Sequence, residues 1–117
     1  MKRLLLTLLV TLALALSACG QKASPENGQH LAALHGCSSC HSPDGSKKIG
    51  PTWQGLYGST VTLTDGSTVT ADEAYLAESI KDPSARIVDG YTPGAMPTFK
   101  LTDAEIADLV AYIKSLQ

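Results

Sequence analysis

The most restrictive feature of the sequence is the run GCSSCH at residues 36–41. It places Cys37 and Cys40 three residues apart, with His41 directly after the second cysteine. Three kinds of site use such a cluster: a structural metal site, a redox-active dithiol and a covalent cofactor attachment. Each of them requires different partners, so the rest of the chain can discriminate between them.

The rest of the sequence argues against the first two kinds of site. A structural zinc site needs four ligands, but no second CxxC or HxxxH is present, and His30 and His35 lie upstream without a fourth partner. A thioredoxin-like dithiol belongs to a βαβ unit, which the pattern does not indicate. Covalent haem c remains, because CxxCH is its direct signature and because Cys37, Cys40 and His41 would share one face of a helical turn.

A haem held by one histidine needs a second axial ligand for its iron. The sequence has two methionines, and since one is the initiator, Met96 supplies the thioether of the mature chain. Prolines on either side of Met96 restrict its backbone, so we predict that it is the second ligand. The alternative is a methionine that fills a gap in the core. His30 and His35 are weaker candidates, predicted to be surface or helix-packing residues.

The N-terminus is predicted to be an export signal. Lys2 and Arg3 precede an apolar run at residues 4–16 that is too short to span a bilayer comfortably, and small residues follow it. Without those two cations, seven basic residues face eleven acidic ones, a net charge of about −4 with neutral histidines. The charge excludes a basic face for nucleic acid, and the adjacent pair Lys47 and Lys48 is predicted to lie in a solvated loop.

The end of this signal, LSAC, resembles the lipobox of bacterial lipoproteins, in which cleavage leaves a lipid-bearing cysteine. We therefore predict a signal peptide at residues 1–18, a lipid on Cys19, a tether at 19–27 and one domain at 28–117. An ordinary signal or an uncleaved anchor with an incidental cysteine is the alternative. Cys37 and Cys40 then form the one remaining pair, which does not constitute a disulfide scaffold.

The periodicities predict a mostly helical chain with three or four helices and long loops. Ser24 and Pro25 open a first helix with Leu31 and Leu34 on one face, and VTLTDGSTVT predicts a short β-hairpin at 61–69. A capping box from Thr70 to Glu73 predicts the start of a second helix, which Asp82 and Pro83 end. A second capping box at Thr102 predicts the start of the last helix. Its apolar residues recur at helical intervals: Ile106, Leu109, Val110, Ile113 and Leu116. Aromatic residues are only 5% of the chain, so we expect a haem to complete the core.

Four motifs together resemble the class I, mono-haem cytochromes c: GCSSCH, GPTWQGLYG, the pair MP at 96–97 and the final LTDAEIADLVAYIKSLQ. The chain is most similar to the cytochrome c domain on subunit II of caa3-type oxidases, whose characteristic run resembles residues 61–100. The resemblance implies an all-α cytochrome c fold around one haem. Because no copper-binding domain or membrane helices precede this domain, we expect the oxidase itself to be encoded elsewhere.

The resemblance also implies roles for particular residues. Cys37 and Cys40 would form the thioether links, His41 would be the proximal ligand and Met96 the distal ligand. The carbonyl of Pro51 would accept the other ring proton of His41.

Further residues are implied at the periphery of this site. Trp53, Tyr57 and Arg86 would be neighbours of the haem or its propionates. Gly28 and Tyr112 would meet where the first and last helices cross.

The function implied is electron transfer rather than enzymatic catalysis. We expect a carrier exported across the cell membrane and anchored to it through lipid on Cys19, facing the periplasm or the outer surface. It would take single electrons from a quinol-oxidising complex and pass them to a terminal oxidase or reductase. One alternative is a haem subunit held permanently in such a complex, and another is a haem enzyme or gas sensor in which Met96 dissociates.

Overall fold

The computed structural model describes residues 20–117, so the predicted signal peptide and Cys19 lie outside the described residues. Three helices and a two-stranded antiparallel sheet make up this part of the chain, which confirms the predicted all-α fold class with its short hairpin. No helix in the described range is long and apolar enough to cross a membrane. In chain order the elements are α1 (Pro25–Leu34), a 3₁₀ turn (Cys37–Ser39), β1 (Thr60–Thr62), β2 (Thr68–Thr70), α2 (Glu73–Lys81) and α3 (Asp103–Ser115).

Helix α1 buries one face but leaves its last residue exposed. Gly28, Leu31 and Ala32 are buried, whereas the side chain of Leu34 is 66% exposed. The predicted apolar face of Leu31 and Leu34 is therefore wrong at Leu34. The reason is that α1 packs against α3 around Gly28, so the final turn of α1 extends past the contact.

A glycine permits the two helices to approach closely at this crossing. A Cβ atom on Gly28 would overlap the main-chain oxygen of Asp108 and lie 2.8 Å from Cβ of Tyr112. The carboxylate of Asp108 accepts hydrogen bonds from the main-chain N–H of Ser24 (2.7 Å) and the amide of Asn27 (2.6 Å). The start of α1 is thus held to α3 by both packing and hydrogen bonds.

The predicted hairpin forms with Val61 opposite Val69, and Gly66 adopts φ +81° in its turn. An isolated hairpin is marginal in water, but this one is supported by the rest of the chain. Val61 and Leu63 are buried, and Leu63 forms a bridge with Val88. The hairpin therefore packs against the segment that follows α2 (Glu73–Lys81).

Helix α2 is capped by Asp72, whose carboxylate accepts from the main-chain N–H of Tyr75 at 2.8 Å. The predicted cap at Thr70 is wrong because Thr70 pairs with Thr60 in the sheet and its backbone is extended. The chain becomes helical only at Glu73.

Helix α3 begins at the predicted capping box. Thr102 accepts from the main-chain N–H of Glu105 (3.2 Å), and the Glu105 carboxylate accepts from that of Thr102 (2.7 Å). The first four predicted apolar residues of α3 are buried, Leu116 packs partly buried against them, and Tyr112 joins the core. The core of the domain includes Leu31, Trp53, Tyr75, Leu76, Leu109 and Ile113.

Candidate haem-binding site

The CxxCH motif lies in a tight turn directly after α1. Gly36 adopts φ +72°, a conformation that favours glycine, and it turns the chain out of the helix. The main-chain N–H groups of Cys40 and His41 then donate to the carbonyl of Cys37, at 3.1 and 3.0 Å. Cys37 and Cys40 form no disulfide with each other, and both line the same cavity as His41.

This cavity has a volume of about 350 Å³ and is walled mainly by hydrophobic side chains. Residues from the CxxCH turn, the loops, α2 and α3 line it, including Ile49, Leu76, Ile80, Val88 and Leu109. A domain of this size is normally packed without voids much larger than a water molecule, so the walls are shaped for a large apolar group. Two unpaired thiols, an imidazole and a thioether in an apolar wall fit haem c. In the described range no group of three or more His, Cys, Asp or Glu side chains could hold a metal ion directly.

The imidazole of His41 is held in one tautomer. Its Nδ1 lies 2.7 Å from the carbonyl oxygen of Pro51, so that Nδ1–H donates and Nε2 keeps its lone pair. Burial lowers the pKa of His41 below its ordinary value, while the bond to Pro51 opposes this shift. A neutral imidazole with a free Nε2 is the form that coordinates a metal.

Met96 lines the same cavity as His41 and is half-buried. Pro97 is also in the wall, and the turn before Met96 is closed by a hydrogen bond from Ala95 N–H to the carbonyl of Thr92 (3.2 Å). The structure thus brings together the imidazole and the thioether that the sequence singled out, although 55 positions separate them.

Of the three peripheral residues, Trp53 and Arg86 line the cavity and Tyr57 does not. The guanidinium of Arg86 donates to the carboxylate of Glu78 at 2.6 Å. The ring of Tyr57 lies under the ammonium of Lys114, 4.9 Å from the ring centroid, because the turn after Trp53 directs it towards α3. The structure therefore does not support the placement of Tyr57 beside the haem.

His35 reaches the cavity, contrary to its predicted role as a surface or helix-packing residue. Its ring contacts Phe99 edge to face, with centroids 5.9 Å apart. His35 lies one residue beyond the end of α1, directly before the CxxCH turn. His30 is exposed, in agreement with its prediction.

A pair of hydroxyls beside His41 was not found from the sequence. Ser42 is fully buried, and its hydroxyl donates to the carbonyl of Ser46 at 2.6 Å and lies 2.9 Å from the hydroxyl of Thr52. Thr52 in turn donates to the carbonyl of Ser42 at 3.0 Å. Serine and threonine in a loop carry no signal that distinguishes such a buried pair from solvated side chains.

Comparisons with known proteins identify the family and the fold of the chain. Residues 25–117 match the protein family described as Cytochrome c. Among solved structures, cytochrome cH from Methylobacterium extorquens is similar in fold, with a TM-score of 0.57 and 23% identity over 80% of this chain and 99% of that one. No curated protein matches the chain.

The chain belongs to the cytochrome c family. Members of this family transfer electrons with a covalently attached haem c and are generally not enzymes. Cys37 and Cys40 are the cysteines of its CxxCH motif and attach the haem.

Proposed function

We propose that this protein is a lipid-anchored, single-electron carrier of the bacterial envelope. It accepts electrons from a quinol-oxidising complex and passes them to a terminal oxidase or reductase. The observation that carries the proposal is the presence of His41 and Met96 in the wall of the cavity that also holds Cys37 and Cys40.

In this proposal each residue has a separate task. Cys37 and Cys40 retain the cofactor, and His41 and Met96 are its two axial ligands. When bound, haem c supplies a one-electron couple at its iron. If His41 and Met96 both bind the iron, no position would remain on it for oxygen or peroxide, which favours electron transfer over catalysis.

The surface around the CxxCH turn supports a contact with a redox partner. Leu34 and Ile49 are the exposed large hydrophobic side chains of residues 20–117, but Ile49 lines the cavity, whereas Leu34, 66% exposed, does not. Leu34 lies shortly before the turn in sequence, and the ammonium of Lys48 donates to the carbonyl of Ser38 in the turn at 2.6 Å. An exposed apolar side chain next to the CxxCH turn suits the brief contacts of redox proteins.

The anchor and the location rest on the sequence. The signal at residues 1–18 and the lipobox-like LSAC motif favour export and a lipid on Cys19, and haem c is attached outside the cytoplasm. The resemblance of residues 61–100 to the haem domain of caa3-type oxidases favours a terminal oxidase as the acceptor. Mass spectrometry of the mature N-terminus tests whether Cys19 carries acyl chains.

Visible spectra of the purified protein test the proposed ligands. We expect a low-spin spectrum in both oxidation states, with the weak long-wavelength band of methionine bound to ferric iron. Met96→Leu keeps the side-chain volume but removes the sulfur, so it should abolish this band and lower the midpoint potential. Phe99→Leu is the matched control, because Phe99 lines the same cavity without a ligating atom. An unchanged spectrum and potential in Met96→Leu would contradict the proposal.

The exposed side chain of Leu34 also favours a second candidate, a haem subunit bound permanently in an oxidase or reductase complex. Mild solubilisation of the membrane distinguishes the two. A free carrier should separate from every complex, whereas a subunit should co-purify in a constant ratio with one of them.

A further inference from the structure

Three residues of one short segment, 50–53, contact the imidazole of His41. A Cβ atom on Gly50 would lie 2.5 Å from Cε1 and 2.8 Å from Nδ1 of the ring, so only glycine leaves room for the ring there. The carbonyl of Pro51 accepts from Nδ1. The indole of Trp53 is stacked on the imidazole, with centroids 5.1 Å apart and planes inclined by 10°. The imidazole is therefore enclosed by backbone, a hydrogen bond and an aromatic face.

We propose that Trp53 is a positioning residue that holds the plane of the His41 imidazole in one orientation. This inference rests on the proposed role of His41 as an axial ligand. The resemblance to known cytochromes suggested Trp53 only as a neighbour of the haem or its propionates. The stacking indicates instead that Trp53 acts on the orientation of the His41 ring.

The bond to Pro51 does not by itself define the plane of the ring. A single hydrogen bond fixes the direction of Nδ1–H, but the imidazole can rotate about the line from that nitrogen to the oxygen at little cost. A parallel aromatic face opposes this rotation, because tilting the ring would bring its edge into the indole. The two contacts are therefore complementary.

Trp53 can do this because its own position is fixed. Its side chain is only 6% exposed, and its ring contacts Tyr112 of α3 edge to face, with centroids 5.8 Å apart and planes at 82°. Its main-chain N–H donates to the carbonyl of Ser42 at 2.8 Å, and the hydroxyl of Thr52 donates to that same carbonyl. The indole is thus held from α3 on one side and from the residue after His41 on the other.

The orientation of a ligand plane can be measured separately from activity. In ferric low-spin haem proteins it determines the anisotropy of the electron paramagnetic resonance signal, and the environment of the ligand contributes to the midpoint potential. We compare Trp53→Leu, which removes the flat face, with Trp53→Phe, which keeps an aromatic ring. Val110→Ala is the control for general loosening, because Val110 is buried but does not line the cavity.

Trp53→Leu should broaden or split the low-spin signal and shift the midpoint potential. Trp53→Phe should restore one narrow signal, and Val110→Ala should leave both measurements unchanged. If Trp53→Leu matches the wild type, or if Val110→Ala produces the same change, Trp53 does not position the ligand.

A measurement on the wild type covers the case in which Trp53→Leu fails to form holoprotein. In the diamagnetic ferrous protein, nuclear Overhauser effects should join the indole protons of Trp53 to the ring protons of His41. Their absence would overturn the inference. A wild-type protein without histidine–methionine spectra would instead refute the proposed function, so the two failures are distinguishable.

Discussion

The crossing of α1 and α3 and the wall of the cavity are parts of one short chain, yet they differ in what stabilises them. At the crossing, Gly28 lets the backbones touch and Asp108 binds the start of α1. In the described stretch 91–101, by contrast, only Tyr91 and Ala95 donate main-chain hydrogen bonds to main-chain carbonyls, each at 3.2 Å.

The difference shows where the cofactor is needed. The crossing satisfies its own polar groups and buries apolar side chains against one another, which is what a stable core requires. The loops of the cavity wall border a space of about 350 Å³ that a haem would fill, so part of the burial of their apolar side chains depends on the cofactor. We therefore expect perturbations of the two regions to have different consequences.

The largest effect is expected from Cys37→Ala/Cys40→Ala, which prevents attachment of the haem. The loops of the cavity wall lose the group they cover, so the variant should be largely unfolded. Far-ultraviolet circular dichroism and thermal scans measure this outcome. A variant with the helix content and the cooperative transition of the holoprotein would show that the helix crossing alone sustains the fold.

The next largest effect is expected from Gly28→Ala, which adds a methyl group where the two helices touch. Overpacking of this kind should cost about 2–3 kcal/mol of unfolding free energy. The visible spectrum should change much less than the stability, because Gly28 does not line the cavity. Gly20→Ala is the control, since no atom of the described residues lies within 4 Å of a Cβ at that position, and chemical denaturation of both variants gives the comparison. Equal stabilities would mean that the crossing is less close than described.

A smaller effect separates the two candidate caps of α2, the helix that contributes Leu76 and Ile80 to the cavity wall. Asp72→Ala should destabilise the protein by about 1 kcal/mol, because it removes the acceptor for the N–H of Tyr75. Thr70→Ala should have little effect, since Thr70 is exposed in β2. Urea denaturation of the two variants checks this order. If Thr70→Ala were the more destabilising of the two, Thr70 would be the cap, as the sequence predicted.

The smallest effect is a dependence on pH at the helix crossing. The hydrogen bonds from Ser24 and Asn27 lower the pKa of Asp108 below its ordinary value of 3.8. A lowered pKa in the folded state means that the contribution of Asp108 is present above the unfolded pKa and is lost as the pH falls through the folded pKa. The unfolding free energy of Asp108→Asn should therefore depend less on pH in the acidic range. Identical slopes for the two proteins would contradict this role.

Local sequence patterns predicted those elements whose signals are short in range. The capping box at Thr102, the hairpin turn at Gly66 and the CxxCH turn depend on residues within a few positions, and the structure contains all three. The errors at Leu34 and Thr70 arose where a distant element decided the outcome. For Leu34 it was the crossing point with α3, and for Thr70 it was pairing with β1.

The sequence by itself determined the chemistry of the protein, because the CxxCH motif specifies covalent haem and the chain offers one thioether after the initiator methionine. Only the tertiary structure decided which side chains surround the histidine. Stacking on Trp53, the close approach of Gly50 and the hydrogen-bonded pair of Ser42 and Thr52 arise where the loop between the CxxCH turn and β1 folds back on itself. Contacts within an irregular loop, between residues about ten positions apart, have no period and no local signature, so they become visible only when the chain is folded.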